Sequence, residues 1–418
     1  MRDTRAADGG MHRGPLSGLR VVDLTTSYAG PTASMYLADL GADVIKVERP
    51  LVGDDARTWG PPFIDGQSPW FASANRNKRS LVLDLRTDDG LTALRELIAT
   101  ADVFMQNLNP TKLKRLGVDP GRMRAENPRL IYCAMSGFGL SGPSNMLPGY
   151  DLAAQARSGL MSVTGSMGGS PQRVSTALSD IVTGMCAALA ISAAVVRQRG
   201  EGAGEVIDVS LLDSDLALMA PRIASYLAGE AEPAPSGGTD SVLAVYQSFP
   251  TADRDIIIAI GNDAMWVRFC TALGLDDLAV DARLSTNAGR REHRLRIIAA
   301  VTERLSTQKS ATWLACLNAA NVPVSCVQSL SEVVADEQVI ARGAILPVPD
   351  AEGLFTVHSP FRFASITQPR NDGVAALGEH TREVLEEIGL AADRVDRLVA
   401  AGDPAAAAPE PAAAPSHG

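Results

Sequence analysis

The stretch ALSDIVTGM, residues 177–185, sets a single carboxylate, Asp180, at the entrance of an apolar, helix-forming run. Two readings compete for it. Aspartate is among the preferred N-cap residues, and Asp180 precedes Ile181-Val182-Thr183-Gly184, the expected first turn. A carboxylate at a helix N-terminus is also favoured in its ionised form and lies beside N–H groups that can stabilise an oxyanion. On spacing alone the cap is the stronger reading. Other chemistries find little support. The first strand-to-helix turn, DLTTSYAGP, has neither G-x-G-x-x-G nor a Walker A pattern, and no G-x-S-x-G occurs. Of five histidines, His12 and His417 fall in terminal segments and His293 sits in the arginine-rich GRREHRLR, read as a solvated helix face. His358 and His380 stand alone and read as structural polar residues. Carboxylates, tyrosines and backbone dipoles remain.

Composition narrows the partners. A net charge of −10 argues against nucleic-acid binding, which needs a positive footprint. Within that acidic total, basic residues cluster at Lys46, Arg49, Arg76, Lys78, Arg79, Lys112, Lys114 and Arg115, a local surface suited to a small polyanion. For any one of them a solvated charged face is the simpler account. The five cysteines, Cys133, Cys186, Cys270, Cys316 and Cys326, show no C-x-x-C pair or metal-ligand spacing. They read as reduced core residues of a cytoplasmic protein with no metal. No apolar stretch reaches the roughly 18 uncharged residues of a membrane span. The longest, residues 181–196, is Ala-rich, ends in Arg197-Gln198-Arg199, and reads as a buried core helix, so no membrane partner is expected.

The elements that must position these groups alternate. LRVVDL reads as a strand, followed by a helix through Ala33, Leu37 and Leu40 that stops at Gly41. DVIKVE, SLVLDL, DVFMQN and RLIYCAM read as further strands. Thr87 is the expected N-cap of a helix with Leu91, Leu94, Leu97 and Ile98 on one face. The long apolar helix is followed by strand EVIDVS and a helix over LLDSDLALMAPRIASYL. This alternation predicts a doubly wound α/β domain with a largely parallel sheet covered on both faces. GEAEPAPSGGTD, residues 229–240, reads as an exposed linker, and DIIIAIG with helices bearing Trp266 and Trp313 as a smaller α+β domain. The expected boundaries are a disordered lead at 1–16, the large domain at 17–215, a linker at 216–240, the small domain at 241–330, a return into the large domain at 331–395, and an Ala/Pro-rich disordered tail at 396–418.

Taken in order, LRVVDL…AGP, LADLGADVIKVERP, NRNKRSLVLDL, KLKRLGVD, NPRLIY…SGFG-x-x-GP, GYDLAAQARSGLMSVTG, ALSDIVTGM and GEHTREVLEEIGL resemble the family III CoA-transferases over nearly the whole chain. This is the group of formyl-CoA transferase and carnitine CoA-transferase. GDDARTWGPPF and GYDLAAQARSGLMSVTG resemble its succinate–hydroxymethylglutarate branch. The resemblance implies a Rossmann-like large domain and a homodimer of two interlocked rings. It also implies reversible transfer of CoA from an acyl-CoA, such as succinyl-CoA, to a free carboxylic acid. Asp180 matches the family's nucleophile, which passes through an aspartyl anhydride and an aspartyl-CoA thioester.

Coenzyme A contacts carry over by position. Arg49 matches an adenosine-side arginine, Ala74, Asn75 and Lys78 a loop against the nucleotide, and Arg115 an arginine directed at phosphate. Asn107 and Leu108 match an Asn-aromatic pair in which leucine here replaces the ring. Tyr28 and Ala29 fall on the turn beside the thioester, where relatives can carry glutamine. Tyr150 stands where the related acyl-CoA racemases place a histidine base, and a phenol of pKa near 10 is a poor base at neutral pH, which favours transferase over racemase. In the linker, the Arg, His and Pro-Tyr of that branch are replaced by Pro235, Asp240 and Val245-Tyr246. Gly237 and Gly238 could supply a lid. Arg57 and Arg173 are the candidates for pairing a distal substrate carboxylate. An acyl-CoA racemase or epimerase, and a non-catalytic acyl-CoA-binding protein, remain as alternatives.

Overall fold

The computed structural model describes residues 14–349, 351–366 and 370–402, in two units: residues 14–158, 174–223 and 341–402, and residues 159–173 and 224–340. Most of the expected lead and tail lie outside the described residues. Where they overlap, the expectation is corrected. Leu16 is a core residue, and helix Ala392–Gly402 runs past residue 396 with Val395 and Leu398 buried.

In the first unit, β1 (Arg20–Asp23), β2 (Asp43–Glu48), β3 (Arg79–Val82), β4 (Val103–Gln106), β5 (Ile131–Ser136) and β6 (Glu205–Ser210) form one parallel sheet, ordered β3-β2-β1-β4-β5-β6. Val21 of β1 pairs with Val44 of β2 on one side and Val103 of β4 on the other. The strands before β6 are almost wholly buried because helices cover both faces, so apolar residues run on without alternating. The first unit's helices up to β6 and just beyond are α1 (Ala29–Asp39), α2 (Pro69–Asn75), α3 (Asp88–Ala99), α4 (Pro110–Leu116), α5 (Pro120–Glu126), α6 (Asp151–Arg157), α8 (Leu178–Glu201) and α9 (Leu211–Leu218); the intervening single turn α7 (Leu160–Val163) belongs to the second unit. Thr87 caps α3 as its sequence predicts, accepting the Gly90 N–H. One core joins α3 to Val22, Ile45, Leu81, Phe104 and Tyr132; the other joins α1 and α8 to Val21, Val44, Met105 and Ile131.

Strand order reverses between β1 and β4, so the loops after them diverge and leave a crevice at the C-terminal sheet edge, where open α/β sheets bind ligands. Two helices start there. The contact between α1 and α8 is set by Gly184: a Cβ at that position would stand 2.8 Å from the Thr32 Cβ and 2.9 Å from the Ala29 carbonyl oxygen. Only a glycine lets the helices approach this closely.

The long helix departs from expectation. It spans 24 residues, long and apolar enough to cross a membrane by length and composition, and only one face is buried. Ala187, Ala188, Ile191 and Val195 face the core, while Met185, Leu189 and Val196 are exposed. The expected single helix after β6 is broken at Met219: α9 ends at Leu218 and a second helix runs Ala220–Leu227, with Pro221, which has no N–H to donate, in its first turn.

The second unit has an antiparallel sheet of β7 (Tyr246–Phe249), β8 (Ile256–Ala259) and β9 (Val324–Cys326), with Trp266, Phe269 and Trp313 buried in its core. Residues 159–173, read from sequence as part of the large domain, belong to this unit. The return segment forms the hairpin β10 (Ile345–Pro347) and β11 (Phe355–Val357) in the first unit.

Candidate functional site

The question posed by Asp180 is answered by the first turn of α8. Its N-cap is Ala177, which offers no side-chain acceptor, and Asp180 is the third residue of the helix rather than its cap. The capping is done from another helix. Asp151, first residue of α6, accepts the Ser179 N–H at 2.8 Å and the Asp180 N–H at 3.3 Å through Oδ1. Its Oδ2 is held by Gln155 Nε2 at 2.7 Å. Two of the four N–H groups that every helix start leaves unpaired are thus satisfied by a carboxylate that is not the helix's own. The Asp180 side chain is left free, partly exposed, with no hydrogen-bond donor among the described residues. Burial, then the charges of Asp151 and of Asp215 on α9, push its carboxyl up to about 7. Its ionised form, which gains population as pH rises through that value, is a basic, weakly solvated carboxylate that suits a nucleophile better than a salt-bridged one.

The turn after β1 forms the facing wall. Ser27 adopts a left-handed φ of 72° and donates its N–H to Asp54 Oδ1 at 3.0 Å; Asp54 is buried and paired with Lys46 at 2.8 Å. Asn107, just past β4, grips the same turn reciprocally, donating to the Thr26 carbonyl at 2.9 Å and accepting the Thr26 N–H at 3.1 Å. This pair of hydrogen bonds spans the switch point and holds the turn that carries Tyr28, whose hydroxyl lies 2.8 Å from Ser73 Oγ. The Tyr28 ring meets Trp70 edge-on at 5.5 Å, and Trp70 meets Trp59 at 6.1 Å. Burial raises the Tyr28 phenol, and the Asp180 charge raises it further, so it remains a neutral hydrogen-bonding group facing the carboxylate. Helix geometry leaves the Ala29 and Gly30 N–H groups as the free donors of α1, since Pro31 has none.

A free carboxylate, backbone donors and an aromatic wall at a switch point suit acyl transfer, and comparison with known proteins gives the family. Residues 16–381 match CoA-transferase family III. The chain belongs to that family. It is 39% identical to a succinate–glutarate CoA-transferase of Agrobacterium fabrum, covering 90% of this chain and 96% of that one. It is 36% identical to a human succinyl-CoA:glutarate CoA-transferase, covering 93% and 89%. A CAIB/BAIF family protein from Brucella suis superimposes with a TM-score of 0.79 at 37% identity, over 90% of this chain and all of that one. The chain is a CoA-transferase with the α/β fold its sequence predicts.

Several residues matched to coenzyme A contacts in the transferase are engaged within the fold. Ala74, Asn75 and Lys78 are buried. Lys78 Nζ donates to the Pro31 carbonyl and to Asn75 Oδ1, both at 2.8 Å, and lies 3.5 Å from Asp23; burial brings it down to about 7 against the pull of Asp23. Half of the expected basic cluster is therefore drawn into the fold. Lys46 pairs with Asp54, Arg76 with Asp39, and Arg79 with Asp43, Glu383 and Glu387. Sequence displays the cations but not the acids that the fold brings to them. Arg49 is exposed beside Asp55 at 2.6 Å, and Lys112, Lys114 and Arg115 are exposed on α4. Leu108 is half-buried, its N–H donating to Gln106 Oε1. Tyr150 is 65% exposed at the start of α6, apart from the buried carboxyls that follow it.

Arg57 is not free for substrate. It forms a two-pronged pair with Glu48 at 2.7 and 2.8 Å and stacks over Phe71. Arg173, Gly237 and Gly238 belong to the second unit, where Arg173 is exposed and both glycines adopt positive φ. The Gly237 N–H donates to the Gly165 carbonyl, and Asp240 Oδ1 accepts the Val242 and Leu243 N–H groups. His380 Nδ1 accepts the Ser80 N–H and His358 Nδ1 lies 2.7 Å from the Ser359 carbonyl, both structural. The sequence reading missed Asp151, Ser179, Asp215, Trp59 and Trp70 as site members. A signal existed for Asp151, which closes the GYD motif; Asp215 reaches the site only through tertiary packing.

Proposed function

We propose that the enzyme moves CoA reversibly between dicarboxylic acids, with succinyl-CoA as a donor and a short dicarboxylate such as glutarate as acceptor, through acylation of Asp180. The observation that carries this reading is the Asp180 carboxylate in the first turn of α8, capping nothing and without a hydrogen-bond donor among the described residues. The names of the relatives support the substrate class.

The chemistry follows from that group. An Asp180 oxygen attacks the donor thioester carbon, the C–S bond breaks, and CoA leaves as thiolate, giving a mixed anhydride. The thiolate attacks the Asp180 carbonyl, releasing the donor acid and leaving an aspartyl-CoA thioester. The acceptor carboxylate attacks that thioester and expels the thiolate again. The thiolate then takes the acceptor acyl group, and Asp180 returns as carboxylate. Each step builds a tetrahedral oxyanion, for which the Ala29 and Gly30 N–H groups and the Tyr28 hydroxyl are the nearest supply of donors. Coenzyme A is the substrate, and the exposed cations of α4 together with Arg49 suit its phosphates. The five unpaired thiols support a reducing, cytoplasmic setting. The exposed apolar row of α8 supports a homodimer.

Incubation with succinyl-CoA and glutarate is expected to yield glutaryl-CoA by mass spectrometry, and Asp180→Ala to yield none. Hydroxylamine added during turnover is expected to place its mass on the peptide containing residue 180. An Asp180→Ala variant with wild-type transfer removes the mechanism. Exchange of an α-proton in D₂O without an added acid would instead favour a racemase.

A further inference from the structure

Beside the nucleophile lies a second carboxyl that the transfer steps above do not use. Asp215, on α9, is wholly buried. Its Oδ2 accepts the Ser179 hydroxyl at 2.8 Å and lies 3.5 Å from Ser158 Oγ, while its Oδ1 is buried with no hydrogen-bond partner among the described residues. A buried carboxylate with one bare oxygen is a destabilising choice, because its desolvation is only partly offset. A neutral side chain of the same size would avoid the buried charge. Packing alone gives no reason for an acid here.

Ser179 supplies the reason. It immediately precedes the nucleophile, and both of its donors are held by carboxylates from other elements. Its N–H goes to Asp151 on α6, and its hydroxyl goes to Asp215 on α9. Because Ala177 offers no cap of its own, these two acids fix the turn from which Asp180 projects. They also place negative charge against Asp180. Attack on a thioester turns the Asp180 carboxylate into a neutral acyl group and sends its charge to the departing sulfur. Repulsion present before attack is then relieved, which lowers the barrier rather than merely holding substrate.

We propose that Asp215 is a positioning residue for CoA transfer: through the Ser179 hydroxyl it fixes the first turn of α8, and its charge destabilises the resting Asp180 carboxylate relative to the acylated form. The proposal rests on Asp180 being the nucleophile. The titratable groups facing Asp180 are Asp151 from α6, Asp215 from α9 and Tyr28 from the start of α1. Arg76, the cation that acts on Tyr28, is itself paired with Asp39. Asp215 itself faces Asp151, and burial first, then that charge, raises its own proton affinity.

Two variants of the full chain separate position from charge. Asp215→Asn keeps an oxygen for Ser179 and removes the charge; Ser179→Ala keeps the charge and removes the link. The ionisation midpoint of Asp180 is read by infrared difference titration, its band assigned by loss in Asp180→Asn, with kcat and KM measured for succinyl-CoA and glutarate. Asp215→Asn is expected to lower the midpoint by about half to one pH unit. Ser179→Ala is expected to lower kcat about tenfold with little change in KM. A midpoint unmoved in Asp215→Asn, or a wild-type kcat in Ser179→Ala, overturns the proposal. The infrared titration needs no turnover, so a parent enzyme that transfers no CoA would be recognised as a failure of the nucleophile reading instead.

Discussion

At the scale of single residues, the cap of α8 and the free carboxylate of its first turn belong to two different aspartates that one motif reading would have merged. Asp151 caps α8 from outside, which frees the Asp180 side chain from capping. The division has a measurable consequence. In the proposed mechanism Asp180 attacks only when ionised, so kcat/KM is expected to rise with pH around a midpoint near 7, the value to which burial and then Asp151 and Asp215 bring it. Removing one negative neighbour eases ionisation. Asp151→Asn retains an oxygen for the two N–H groups and is expected to shift that midpoint downward. Asp151→Ala also loses the cap, and about 1 kcal/mol of stability with it. A pH–rate profile of Asp151→Asn that overlays the parent's would show that the two carboxyls do not interact. Asp180 was legible in sequence because its neighbours form a motif, but its freedom from capping was not, since Asp151 arrives from a distant helix. Lys78 shows the reverse: its motif was legible, and its burial against Asp23 and the Pro31 carbonyl depended on residues far away in the chain.

At the scale of elements, the crevice depends on how closely two helix starts can approach. The strands were legible because fully covered strands read as short apolar runs, and Thr87 announced its helix. The order β3-β2-β1-β4-β5-β6 was not, because nothing in a strand's own residues names its neighbours. Nor was the full length of α8: the polar Arg197-Gln198-Arg199 that seemed to close it lies inside the helix, with only Gln198 of the three buried. Gly184 turns that packing into a testable constraint. A methyl group there would press on Thr32 and on the Ala29 carbonyl and tilt the first turn of α8 away from Tyr28. Gly184→Ala should cost about 1–3 kcal/mol by overpacking, offset in small part by better helix propensity. Transfer activity is expected to fall more than stability does, because about 1 Å of misplacement can remove a hundredfold in rate. Calorimetry and kcat on the same preparation check this; an unchanged melting temperature with unchanged kcat would mean the helices have slack.

At the scale of the whole molecule, the question is what covers α8. Met185, Leu189 and Val196 lie on the helix face turned from the core, with Leu189 and Val196 each 73% exposed. Single exposed apolar side chains are ordinary on a soluble surface, but a row along one long helix asks for a partner. The proposed partner is a second copy, in the homodimer of interlocked rings that the family resemblance implies. Linked rings have an unusual property: they cannot part by dilution, because separation requires opening one ring, whereas an ordinary dimer dissociates once concentration falls below its Kd. Mass photometry at nanomolar concentration is therefore expected to report twice 43.9 kDa with no monomer. Leu189→Lys places a charge in the covered row, where an unpaired ammonium is costly. It is expected to lower the melting temperature and the yield of soluble dimer while leaving the Asp180 turn, more than two helical turns away, intact. A parent protein found at 43.9 kDa, with a Leu189→Lys variant equally stable, would leave α8 a solvent-facing helix and end the dimer proposal.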